Sequence, residues 1–121
     1  MSALPFGKYV RKQRLALRAD DSSYSLRRVA MASGLEPSFL SKIERGIAPP
    51  PSEAKIKALA EALGEDPDVL LALAGKVSAD LREVIRKRPT LFADLLRQLR
   101  YAPDDAVTGM VKEARAKYGK N

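Results

Sequence analysis

Ser25-Leu26-Arg27-Arg28-Val29-Ala30-Met31-Ala32-Ser33-Gly34-Leu35-Glu36-Pro37-Ser38-Phe39-Leu40-Ser41-Lys42-Ile43-Glu44-Arg45-Gly46 is the stretch on which the fold turns. The Ser25 hydroxyl can satisfy an orphan amide in the first turn of a short helix, Leu26 to Ala32. Gly34 tolerates the left-handed conformation that closes one helix and opens a tight turn. A further helix starts near Pro37 and ends at Gly46, with Phe39, Leu40 and Ile43 as its larger apolar residues. Two helices of about two turns each, joined by so short a turn, make a helix-turn-helix.

Outward from this pair, no stretch alternates apolar and polar residues over strand length, whereas a 3.6-residue periodicity recurs, so the chain reads as all-α. Upstream, a helix from about Pro5 to Arg18 turns Phe6, Val10 and Leu15 inward, and Ala19 to Ser23 reads as a loop. Downstream, Pro49-Pro50-Pro51 is a stiff connector. Ser52 caps a fourth helix to Leu63, with Ile56, Leu59, Ala60 and Leu63 as its inward stripe. Asp66-Pro67 opens a fifth helix, whose apolar body runs from Val69 to Leu73 before Gly75. Three more helices follow, Ala79 to Lys87, Leu91 to Arg100 and about Asp105 to Tyr118, with Ser78 and Thr90 at cap positions and Pro89 and Pro103 as punctuation. The expected division is a helix-turn-helix domain over 1–75 and a helical C-terminal region over 76–121.

A chain of 121 residues suffices for one compact domain, or for a small one with a helical appendage. It has no cysteine, hence no disulfide framework and no zinc ribbon. It also lacks histidine, the commonest general base and metal ligand. Ser52-Glu53-Ala54-Lys55 matches a Ser-x-x-Lys nucleophile pattern, but its companion motifs are missing and a helix cap explains Ser52. Gly75-Lys76-Val77-Ser78 is no phosphate loop, and Asp104-Asp105 is a helix start. Single-stranded RNA binding would need exposed aromatics on a sheet or repeat scaffold, which the seven aromatics of an all-helical chain do not offer. The expectation is therefore a binding protein, not an enzyme, with no cofactor and no metal. Met1 to Val10 lacks a signal-peptide pattern, Ser2 stands where myristoylation needs glycine, and the apolar run Val69 to Ala74 is far short of the ~20 residues that span a bilayer. A soluble, cytoplasmic protein with no membrane partner is expected.

Lys and Arg number 22 against 15 Asp and Glu, a net charge of +7. Its distribution is informative: residues 1–46 carry +5, residues 47–75 carry −3 and residues 76–121 carry +5. The helix-turn-helix thus has its own positive field, while the fourth and fifth helices are acidic, a polarity that favours docking on a polyanion through one face.

The segments Ser25 to Ala30, Ser33-Gly34-Leu35 and Ser38 to Gly46 resemble the helix-turn-helix of the phage repressor/Cro family of bacterial transcription regulators, also called the XRE family. The likeness extends from Phe6 to Gly75. It implies a five-helix, repressor-like bundle whose third helix enters the major groove, as α-helices fit that groove. Carried over by position, Pro37, Ser38 and Lys42 face bases, with Phe39 at the margin. The amides at the start of the second helix, near Ser25 and Leu26, can bind a phosphate at the positive end of the helix dipole, Arg27 and Arg28 lie there too, and Ser41 and Arg45 are placed to reach the duplex backbone. In such proteins a glutamate placed like Glu44 turns inward to an arginine of the first helix, here Arg14, which makes these two a structural ion pair. Leu26 and Pro37 depart from the glutamines often found at those positions, so no operator sequence carries over.

The C-terminal region presents Leu91, Phe92, Leu95, Leu96 and Leu99 as one broad apolar face, a face for a dimer or a protein partner. A homodimer would set two recognition helices about 34 Å apart on a pseudo-palindromic site in double-stranded DNA. The expected function is a dimeric repressor acting by operator occlusion. The alternatives are an antitoxin that autoregulates its operon while its tail holds a toxin, or a repressor whose tail is the target of a regulatory protease.

Overall fold

The computed structural model describes residues 5–119, and among them the chain is all-helical. The elements are α1 (Phe6–Arg18), a 3-10 turn (Ser22–Tyr24), α2 (Leu26–Ala32), α3 (Pro37–Glu44), α4 (Glu53–Leu63), α5 (Pro67–Leu73), α6 (Ala79–Lys87), α7 (Pro89–Leu99) and α8 (Asp104–Tyr118). The expectation drawn from Ser2 lies outside the described residues. No helix among the described residues is long and apolar enough to cross a membrane. The chain divides into two compact units, one ending at Ala79 and one beginning at Asp80.

In the first unit, α1 packs on α3, α2 on α3 and α4, and α4 on α5. Val10, Leu40, Ile43, Ile56, Leu59, Leu70 and Leu71 meet in one core. Side chains of this kind stabilise a fold by about 1.5–3 kcal/mol each when fully buried. The buried stripe of α1 is Phe6, Gly7, Val10 and Arg14, a four-residue step along one helix face. Gly7 lies where α1 crosses the end of α3, and a Cβ there would stand 1.9 Å from the Ile43 carbonyl oxygen. Leu15, expected inward, is instead 40% exposed. Arg14 takes the inward position beside it, because Glu44 supplies a partner that hydropathy does not register.

Between α1 and α2 the expected plain loop contains the 3-10 turn, held by Asp21, whose Oδ1 accepts the Ser23 amide at 2.9 Å. Ser25 and Ser52 cap α2 and α4, their hydroxyls accepting from the amides of Arg28 at 3.3 Å and Lys55 at 3.4 Å. Gly34 has φ 69°, the left-handed value that the turn into α3 requires. Two lysines tie connectors to the bundle: Lys55 Nζ donates to the Gly34 carbonyl at 2.8 Å, and Lys76 Nζ to the Pro51 carbonyl at 3.1 Å.

The second unit is built differently. None of its helices buries a residue, although α6 and α7 are strongly amphipathic. Thr90 does not cap α7. Arg88 holds the cap position and Pro89 opens the helix, since proline lacks the amide that a first turn leaves unpaired and its φ already suits a helix.

Candidate nucleic-acid interface

The eight residues of α3 split by face. Leu40, Ile43 and Glu44 turn into the bundle, which leaves Ser38 and Lys42, one turn apart, exposed on the other side. Phe39 lies at the margin, 36% exposed, and Pro37 is half-buried at the first helical position. Arg45 follows the last turn, exposed, with its Nε donating to the Ser41 carbonyl at 3.2 Å. Ser41 is itself half-buried. At the start of α2, Arg27 and Arg28 are exposed and Ser25 is half-buried, its hydroxyl already engaged as the cap. Leu26 is half-buried, packed against the core.

Arg14 and Glu44 fix the pose of α3 against α1. The guanidinium forks onto the carboxylate, Nε to Oε2 at 2.7 Å and Nη2 to Oε1 at 2.8 Å, and Nη1 reaches the Tyr24 carbonyl at 3.3 Å. Both side chains are almost wholly buried. A bidentate pair of this kind sets an angle as well as a distance. It removes the only carboxylate of α3 from the outer face.

Several groups near this surface escape a reading based on the motif alone. Glu36 is exposed at the cap position of α3 and makes no capping bond. A carboxylate there suits a cytosine N4 amine and repels phosphate. On α1, Lys8, Arg11 and Lys12 are exposed and line, with Leu15, Glu44 and Arg45, a cavity of about 360 Å³. Their close spacing along a helix without a single acid is the signal the sequence carries for them. Farther away, the Tyr9 hydroxyl donates to Glu65 Oε1, tying α1 to the turn after α4. That bond, then burial and the Glu65 charge, hold the Tyr9 hydroxyl above its ordinary value of 10.0. The Asp21 carboxyl lies below its usual range because the Ser23 amide and hydroxyl donate to it.

Of the apolar face expected on α7, Leu91, Leu95 and Leu96 are exposed, while Phe92 and Leu99 are half-buried. Leu91, Phe92 and Leu95 line a groove of about 210 Å³ with Val84 and Arg88.

A family model described as a helix-turn-helix domain matches residues 6–73, more than half of the chain and the whole of α1 to α5. No curated protein and no solved structure matches.

Proposed function

The chain belongs to the helix-turn-helix domain family, and on that premise we propose that it is a sequence-specific regulator of transcription, a repressor of the phage repressor/Cro type that binds double-stranded DNA as a homodimer and occludes a promoter. The observation that carries the reading is α3 itself: a helix that follows a glycine turn and is fixed from behind by a buried ion pair, its exposed side bearing Ser38 and Lys42, with Arg45 just past its end. In the major groove Lys42 would donate to guanine O6 or N7, Ser38 would donate or accept, and Phe39 would meet a thymine methyl. Arg27, Arg28 and Arg45 would neutralise backbone phosphates, with Ser25, Leu26 and Ser41 beside them and Pro37 at the base-facing start of the helix.

Dimerisation is supported by the uncovered apolar faces of α6 and α7, because helices that bury nothing of their own expose surface that a second copy would cover. The same faces support a second reading, a protein partner such as a toxin or a regulatory protease, and an adjacent gene for either would favour it.

The test is selection of bound fragments from a random duplex library, with the intact chain and with Lys42→Ala. A defined motif is expected, relaxed at one position in the variant at a cost of about 1–3 kcal/mol. Enrichment of no motif would refute sequence-specific recognition.

A further inference from the structure

We propose that the basic cavity between α1 and the end of α3 is a second phosphate-binding site, which grips the duplex strand bordering the groove that α3 enters. The inference rests on the DNA-binding reading above and deepens it, because Lys8, Arg11 and Lys12 lie outside the helix-turn-helix pair.

Its charge is uncompensated. Lys8, Arg11, Lys12 and Arg45 bring four cations to one cavity. The sole acid in its lining, Glu44, is fully engaged by Arg14 in the buried fork. Among the described residues no salt bridge involves Lys8, Arg11 or Lys12. The negative end of α3 accounts for one nearby cation, and Arg45, donating to the Ser41 carbonyl, already fills that role. Three further cations on the exposed side of an acid-free helix exceed what a helix end needs.

Position supplies the ligand. An eight-residue helix is about 12 Å long, close to the width of the major groove. When the start of α3 meets base edges, its far end therefore arrives at a groove wall, which is a phosphate strand. The cavity opens at that far end, beside Glu44 and Arg45. The site is held rigidly, since the Arg14 fork and the close approach of Gly7 to the Ile43 carbonyl lock α1 to α3. A concave, cationic surface complements a convex, anionic strand, and the long lysine and arginine stems leave the charged heads free to follow it.

The experiment compares the full chain with K8Q/R11Q/K12Q and with the charge-keeping K8R/K12R, using the selected duplex and a scrambled duplex of equal length. Binding is followed by fluorescence anisotropy against salt concentration, and circular dichroism melts monitor the fold. Removing one phosphate-neutralising cation should flatten the plot of log K against log salt by about 0.9. The triple variant is expected to flatten it by one to three such steps, to weaken both duplexes by the same factor of ten or more at about 0.15 M salt, and to leave the selected motif unchanged. K8R/K12R should keep the wild-type slope. An unchanged slope in a folded triple variant overturns the clamp while leaving the helix-turn-helix reading intact. Failure of the wild-type chain to bind any duplex refutes both.

Discussion

Arg14 is a residue that hydropathy would send to solvent, yet it is 4% exposed, and its polar environment is Glu44 and one carbonyl. Removing one partner leaves a charge buried without compensation, which costs about 3–5 kcal/mol, whereas replacing both by apolar groups can be neutral. Glu44→Ala should therefore lower the melting midpoint by roughly 10 °C or more. Arg14→Met combined with Glu44→Leu should recover most of that loss, and a single variant that melts like the wild type would show the fork to be dispensable. Tyr9 makes a different kind of statement. Its hydroxyl titrates above 10.0 in the folded chain, so the folded state holds that proton more tightly than the unfolded state does. The stabilisation is complete below the unfolded value and is lost as pH rises through the folded one. The stability gap between wild type and Tyr9→Phe should thus be flat from about pH 6 to 9 and shrink above about pH 10, as read from urea melts across that range.

At the level of elements, the contact that governs how α3 is presented is the crossing with α1. A methyl group added at Gly7 would meet backbone at 1.9 Å, not a flexible side chain, so the helices must part. Alanine gains about 1 kcal/mol in helix propensity, but overpacking at such a contact costs about 1–3 kcal/mol and turns α3 relative to the core. Gly7→Ala should melt earlier and bind the selected duplex more weakly in spite of that propensity. Nothing in the sequence pattern marks this glycine, because it lies inside a helix and its necessity arises only where another element arrives. By contrast α2, α3 and α4 are legible almost to the residue, since Ser25, Gly34, Pro37, Ser52 and Gly64 each encode a local conformation that tertiary context does not alter. Pattern misleads where the partner is distant in sequence or where two local signals compete. Leu15 reads as core while hydropathy alone sends Arg14 to solvent, and Thr90 reads as a cap only while the preference of Pro89 for a first turn is set aside. The outward side of α3 is readable by subtraction from its core residues, but the cavity holding Lys8, Arg11 and Lys12 depends on where the end of α3 falls against α1.

Across the whole molecule, the two units differ in what holds them. The unit up to Ala79 owns a contiguous apolar core, and Lys76 and the buried Ser78 belong to that unit, so the place to cut the chain is after Ala79, a few residues past Gly75. Beyond that cut, α6, α7 and α8 bury no side chain, and Leu81, Val84, Leu91, Leu95, Leu96, Met110 and Val111 are all at least 43% exposed. Their exposed i,i+3 and i,i+4 ion pairs, Arg86 with Glu83, Arg97 with Asp94 and Lys117 with Glu113, contribute only a few tenths of a kcal/mol each and cannot replace a core. If a second copy supplies the missing burial, stability of the tail must depend on concentration while stability of the head does not. A chain ending at Ala79 should then melt cooperatively as a monomer at a midpoint independent of concentration, and the full chain should scatter light as a dimer. The full chain should also show a helical transition that moves to higher temperature as its concentration rises tenfold. In DNA binding, the truncated chain should keep the motif of one half-site yet lose most of its affinity for a palindromic duplex, because the two heads no longer share one binding event. A full chain that stays monomeric at micromolar concentration with its tail helices intact would assign those apolar faces to a different protein.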